Sequence, residues 1–427
     1  MNWLLKDTPS LFTDLYELTM AQVYFSNKIN ATASFEVTVR KLPVNWGFFV
    51  MAGLAEIKAY FEAFRFSDED VKFLKSLGLF SDEFLRFLRT LKPDVQVRAL
   101  PEGTVFFPNE PVLEVTGPMI IAQILESYVL NILGFSIIEA SLGARFVTAA
   151  NGIPMMEFGL RRSQSPVSSL RAARGAQIAG FGSTSNLFAS RLLDLKPSGT
   201  MAHSFVEIHD CEENAFENFI KCYGPKSILL IDTYDPVEGI KKAASVARAA
   251  LANNGIKISG IRIDSGDILE LTKFARNHFT AAGLDFIKIF ASGNMDEFRI
   301  TKLLEDGAEI DGFGVGTSFV VSHYAPDIDI IYKLVEYDGR QVFKTSPQKE
   351  TLGGRKTILR IKEDYFRRDI VKDFDPASHD LLKEFHQAED IGIIKARLQA
   401  ELALFKEEIK RISNPAQYQV DFQLTAK

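Results

Sequence analysis

Between about residue 145 and residue 320 the chain repeats one pattern. A run of apolar residues ends in small or polar ones, and a stretch with helical spacing follows. The apolar segments are Pro154–Gly159, Gly180–Asn186, Thr200–Ser204, Ser227–Asp235, Gly260–Asp267, Asp285–Asn294 and Asp311–Thr317. They succeed one another at about 18 to 32 residues, the length of a strand and its crossover helix. Repeated alternation of this kind predicts a parallel sheet covered by helices. Seven units in a row favour a (β/α) barrel or incomplete barrel over one doubly wound half. In such folds the chemistry gathers at the C-terminal ends of the strands.

Those ends carry unusual residues. They read Glu157–Arg162, Gly182–Asn186, Gly199–Ser204, Asp232–Asp235, Arg262–Asp267, Ala291–Asn294 and Gly312–Thr317. Any one of them is explained as a turn or a helix cap, since Asp and Ser before a helix most often cap it. Seven on one rim exceed what capping requires. In the last, Gly314 and Gly316 let backbone N–H groups approach a phosphate and Thr317 adds a hydroxyl donor. Asp264 and Asp267, three apart, suit magnesium beside a diphosphate, directly or through water, or else one cap and one solvated acid. Asp232 and Asp235 form a similar pair. Of the consecutive Arg161 and Arg162, one is placed to clamp an anion and the other to make structural ion pairs. His203 sits between Ala202 and Ser204 at a strand end, as a structural hydrogen bonder or as a nucleophile and proton shuttle. His209 is expected to be exposed, and His278, His323, His379 and His386 have no motif around them.

The flanking segments are of another kind. Leu11–Phe25 reads as a helix after Ser10, Ala33–Arg40 as a strand, Phe48–Phe64 as a helix, Gln96–Thr116 as short antiparallel strands, and Met119–Leu133 as an apolar helix. After residue 325, Ile331–Tyr337 and Gln341–Lys344 flank an Asp338–Gly339 hairpin turn. Leu352–Lys356 reads as a turn, Thr357–Ile361 as a strand and Ile393–Ser413 as an amphipathic helix. The expected division is a mixed α+β domain over 1–135, the barrel over 136–325, and a β-rich segment over 326–427. A net charge of −6 argues against a nucleic-acid partner. The cysteines, Cys211 and Cys222, show no zinc spacing and read as reduced thiols. No apolar run reaches the roughly 18 residues of a membrane span, and the first residues lack a secretory pattern, so a cytoplasmic protein is expected.

The segments TDLYELTM (13–20), FEVTVRKLP (35–43), FGLRR (158–162), SGTMAHS (198–204), LIDTYD (230–235), IRIDSGD (261–267), ASGNMDE (291–297) and GVGT (314–317) together resemble the nicotinate phosphoribosyltransferase family. The resemblance runs in order from about residue 8 to residue 362. It implies an incomplete barrel, with N- and C-terminal segments that build a second domain together. It implies a homodimer in which the Tyr16 region reaches the partner's active site. The implied reaction joins nicotinate to 5-phosphoribosyl 1-diphosphate, giving nicotinate mononucleotide and diphosphate. ATP, a co-substrate, drives it through a phosphohistidine, and Mg2+ assists.

By position in these motifs, His203 matches the phosphorylated histidine, and Asp232 and Asp264 match catalytic carboxylates. Tyr16, Phe158, Thr200 and Arg262 match nicotinate-binding positions. Arg161, Ser204, Asp267, Gly293, Gly314, Gly316 and Thr317 match positions for phosphoribosyl diphosphate, with Asp264 and Asp267 near magnesium. Two stretches depart from the family pattern, Ser163–Val167 after Arg162 and Ile328–Ile330 after GVGT. Relatives that take nicotinamide carry an Asp where this chain has Ser185, and a carboxylate there repels nicotinate. The remaining alternatives are a catalytically silent relative, against which His203, Asp264, Asp267 and GVGT all stand, and an unrelated Schiff-base barrel, which needs a strand-end lysine that none of these ends has.

Overall fold

A computed structural model describes residues 9–344 and 352–425. The chain divides into two compact units, one formed by Met1–Ser141 with Tyr324–Lys427, the other by Leu142–His323.

The first unit is mixed α+β. Its main sheet has six strands in the order Arg340–Gln341, Ile330–Tyr337, Thr32–Val39, Pro111–Pro118, Gln96–Ala99, Lys383–Glu384. Thr32–Val39 pairs antiparallel with Pro111–Pro118 on one side and Ile330–Tyr337 on the other. Both ends of the chain therefore build one sheet. The hairpin expected at Asp338–Gly339 is present, with φ of 52° and 70°, as a two-residue turn of the right hand requires. Charged residues tie the same layers together. Arg98 donates to both oxygens of Glu114 at 3.1 Å and to Asp380, Arg355 donates to Glu114 at 2.7 Å, and the buried Lys356 meets Glu36 at 2.6 Å. Removing one member of such a set strands the others in low dielectric.

Several local expectations need correction. The helix expected over 48–64 begins only at Leu54, because Gly53 at φ 111° turns the chain, and Phe49–Val50 ahead of it pairs with Val105–Phe106 as a small sheet. The first helix runs Leu15–Ser26 with Asp14 at its N-cap, after a short 3-10 turn over Pro9–Leu11. The apolar helix expected to end near Leu133 breaks at Leu125 and resumes as Glu126–Ala150. That second piece is long and apolar enough to cross a membrane, but 83% of its apolar window is buried inside the protein, as a core helix requires. The helix expected over 393–413 is Ile391–Leu404, followed by a separate turn at Glu407–Lys410.

The second unit holds a curled sheet of six parallel strands, ordered Ser183–Thr184, Met155–Glu157, Gly312–Val315, Lys288–Ala291, Gly260–Ile263, Ile228–Leu230. Every pairing is parallel. The curl is that of a barrel left open between the second and third strands in chain order, Ser183–Thr184 and Ile228–Leu230. Six of the seven expected segments supply strands; Thr200–Ser204 does not. The chain in that gap makes only a bridge from Pro197 to Thr184, and His203 opens a short helix, His203–Glu207. The cause lies in the residues, since Pro197 and Gly199 interrupt any ladder there. Crossover helices start on acidic caps: Asp235 receives the N–H of Glu238, Asp267 that of Glu270, and Asp296 that of Arg299. Each cap fixes where its strand-end loop stops.

Candidate active site

The rim of the parallel sheet assembles from neighbouring strand ends. Asp232 follows Ile228–Leu230 and is buried. Its Oδ2 accepts the backbone N–H of Asp264 at 3.1 Å and the hydroxyl of Ser265 at 2.5 Å. Asp264, after the next strand, accepts the hydroxyl of Ser292 from the strand beyond. Gly293 follows at φ +80°, with its Cα so close to the Asp264 carbonyl that a Cβ would lie 1.8 Å from that oxygen. Only glycine fits this approach. Three strand ends are thus locked by two carboxylates and two serines. Sequence reading singled out Asp232, Asp264 and Gly293 but missed Ser265 and Ser292, although both stand inside the quoted motifs.

Arg262 joins this group to the histidine loop. Its Nη2 donates to the carbonyl of Met201 at 3.2 Å, between Thr200 and His203. The Thr200 hydroxyl accepts the Met201 N–H. Burial lowers the pKa of Arg262, Asp264 and Asp232 oppose the shift, and the positive charge of Arg161 adds to it. Two buried polar atoms here, Nε of Arg262 and Oδ1 of Asp232, have no hydrogen-bond partner among the described residues. Buried polar groups are normally paired, so each of these two atoms has room for a water, an ion or a ligand as its partner. His203 is half-buried, and its Nδ1 lies 3.1 Å from Oγ1 of Thr233, the residue after Asp232. His209 is half-buried rather than exposed, with Nδ1 on the Phe205 carbonyl at 2.7 Å and its ring against Phe205.

The remaining rim is built around Phe158. Its N–H donates to the Val315 carbonyl at 2.7 Å. Its ring packs against Gly314, where a Cβ would come within 2.6 Å of it. The same position would put that Cβ 3.3 Å from the Cβ of Ser292, which links this half of the rim to the Asp264 half. Gly316 then starts the short helix Thr317–Val320, with Thr317 exposed at its first turn. Arg161 and Arg162 are both exposed on a 3-10 turn, Leu160–Arg162. Ser204 is exposed in the first turn of the His203 helix.

Asp267 and Tyr16 have settings of their own. Asp267 is exposed, and its Oδ1 caps the following helix through Glu270 N–H at 3.3 Å. One oxygen of Asp264 is likewise taken, by Ser292. No cluster of three or more His, Cys, Asp or Glu suited to a metal occurs among the described residues. Tyr16 belongs to the other unit, on the helix Leu15–Ser26, about half exposed, with burial and the Glu17 carboxylate raising its pKa.

The chain is similar to known proteins over most of its length. Residues 11–134 match the model of the nicotinate phosphoribosyltransferase N-terminal domain, and residues 153–374 match that of the nicotinate phosphoribosyltransferase family. The chain is 45% identical over 351 residues to nicotinate phosphoribosyltransferase pncB2 of Mycobacterium tuberculosis, covering 82% of this chain and 75% of that one. It is 33% identical over 458 residues to the Bacillus subtilis nicotinate phosphoribosyltransferase, covering 97% and 93%. The crystal structure of human nicotinic acid phosphoribosyltransferase superposes with a TM-score of 0.83 at 27% identity, covering 96% of this chain and 97% of that one.

Proposed function

Because the chain belongs to the nicotinate phosphoribosyltransferase family, we propose that its sheet rim transfers the phosphoribosyl group of 5-phosphoribosyl 1-diphosphate to nicotinate. It is a phosphoribosyltransferase of NAD biosynthesis. In the transfer, the bond from the anomeric carbon to the diphosphate oxygen breaks and a bond to the pyridine nitrogen forms. Positive charge develops on the ribose as the leaving group departs. Asp232 and Asp264, fixed against each other through the Asp264 N–H, supply negative charge that need not reorganise.

Arg262 takes the nicotinate carboxylate. Its side chain is half-buried, anchored by one nitrogen on Met201, and its Nε is buried and unused among the described residues. That orphaned donor is the observation that carries the reading, because a buried guanidinium N–H without an acceptor suits an anion. Phe158 and Thr200 border the ring, and Tyr16 of a second copy in a homodimer closes it. Gly314, Gly316, Thr317, Gly293, Ser204 and Arg161 receive the phosphates of the other substrate. The unused oxygen of Asp267, with Asp264, would hold magnesium alongside the diphosphate, and the ion supplies charge neutralisation to that leaving group. His203 accepts the γ-phosphoryl group of ATP, and hydrolysis of that phosphohistidine drives transfer forward. The reaction belongs to the cytoplasm, where its nucleotide substrates are found.

The test is turnover. Purified protein with phosphoribosyl diphosphate, magnesium, ATP and nicotinate forms nicotinate mononucleotide. Absence of product under these conditions overturns the reading.

A further inference from the structure

Glu157 ends the first parallel strand and is 1% exposed, yet no cation pairs with it among the described residues. A buried carboxylate ordinarily has a cationic or metal partner, because losing water costs it heavily. Burial accordingly pushes its pKa up, and the Thr184 hydroxyl and Gly159 amide pull it back. Those two groups are what it holds. Oε1 accepts the Gly159 N–H, and Oε2 accepts the Thr184 hydroxyl at 2.5 Å. Thr184 in turn accepts the Asn186 N–H at 3.0 Å. Asn186 caps the next helix through Phe188 and Ala189 N–H at 3.1 Å and reaches Ser169 at 3.2 Å.

One line of hydrogen bonds therefore runs from the loop bearing Phe158 and Arg161, through Glu157, to the loop bearing Ser185. The Glu157 backbone carbonyl closes the same link by accepting the Ser185 N–H at 2.8 Å. We infer that Glu157 is a positioning residue: it fixes the Phe158–Arg161 loop against the Thr184–Asn186 strand end and so sets the shape of the substrate rim without touching substrate. This deepens the proposed function and rests on it. A carboxylate suits the task because it accepts from both loops at once and offers no donor of its own. Glutamine turns a donor toward a hydroxyl that must then give up its own donated bond, so Glu157→Gln loosens the link while keeping the volume.

The test pairs kinetics with hydrogen exchange. For Glu157→Gln the expected result is a KM for phosphoribosyl diphosphate or nicotinate raised about 10- to 100-fold, in line with small misplacements of binding groups. The melting temperature should be unchanged or higher, since a desolvated carboxylate is gone. Thr184→Val should raise the same KM, with a lowered melting temperature because the Glu157 carboxylate and the Asn186 N–H each lose a partner, and the KM of the double variant should be no worse than that of either single one. Amide exchange in peptides spanning 158–162 and 185–189 should quicken in both variants. A parent-like KM in Glu157→Gln overturns the inference, as does a lowered melting temperature that alone accounts for lost activity. If the parent makes no nicotinate mononucleotide, the reaction reading fails. Exchange then decides the link by itself: quickening in both loops supports it and unchanged exchange overturns it.

Discussion

Nδ1 of His203 lies 3.1 Å from Oγ1 of Thr233, so the candidate phosphoryl acceptor is held by the residue adjacent to a candidate catalytic carboxylate, Asp232. The imidazole thereby spends one nitrogen on orientation, and Nε2 has no partner among the described residues. His203→Ala is expected to lower ATP hydrolysis by more than about 1000-fold, as removal of a covalent nucleophile does. Slow transfer to nicotinate without ATP should persist. Rates measured with and without ATP check this, and an undiminished ATP stimulation in the variant removes His203 from the role.

Arg262→Ala should raise the KM for nicotinate about 30-fold or more, equivalent to about 2 kcal/mol for a desolvated charge pair. The KM for phosphoribosyl diphosphate should move much less. Arg262→Lys should not restore the parent value, because lysine cannot hold Met201 and a carboxylate through one planar fork. Steady-state kinetics with each substrate varied in turn are the measurement.

Gly293→Ala combines a left-handed backbone with a Cβ placed 1.8 Å from the Asp264 carbonyl oxygen. The contact is backbone on both sides, so relief requires moving Asp264 itself. We expect a loss of about 2 kcal/mol or more in stability and a larger proportional fall in kcat, read by urea unfolding and initial rates.

Arg360 stands at the centre of the first unit's buried charges. It donates to Asp369 at 2.6 Å, Glu401 at 3.0 Å and the Val105 carbonyl at 2.8 Å, with the rings of Phe366 and Phe405 within 5.3 Å. Arg360→Met leaves Asp369, which has no exposed surface, without its cation. The expected cost is about 3–5 kcal/mol, measured as a lowered urea midpoint.

Glu17 is buried beside Gln123 and near Glu126, and burial pushes its pKa from 4.5 up to about 7. The folded state therefore holds this proton more tightly than the unfolded chain. Stability from this group falls as pH rises from about 4.5 to about 7, and above 7 the full cost of the buried charge is present. Glu17→Gln should match the parent near pH 5 and exceed it at pH 8 by at most about 3 kcal/mol. Melting curves across that range decide it.

Much of the second unit was legible because its strands are short, apolar and closed by polar ends at regular spacing. For the pairs Asp232 with Asp235 and Asp264 with Asp267 capping stood as one of two readings, and Asp235 and Asp267 are the members that cap. The barrel class and the family followed from motifs that stand in order. What stayed hidden depends on residues far apart in sequence. Glu157 sits in a quoted motif, but nothing local says that its carboxylate turns inward to Thr184, 27 residues away. Thr233 stands between two conspicuous acids, and its partner His203 is 30 residues distant. The false strand at Thr200–Ser204 shares the polar ending of the true ones, and only Pro197 and Gly199 signal that no ladder forms. In the first unit, Gly53 split an expected helix because its left-handed turn is invisible to apolar periodicity.

On the proposed function this rim takes the acid and not the amide, through Arg262 and with Ser185 in place of a carboxylate. The direct measurement is kcat/KM for nicotinate and for nicotinamide, each with phosphoribosyl diphosphate, magnesium and ATP. A preference for nicotinate of more than about 100-fold is expected, because a site built for a charged group leaves that group unpaired against the amide. Equal rates, or a preference for nicotinamide, would contradict it.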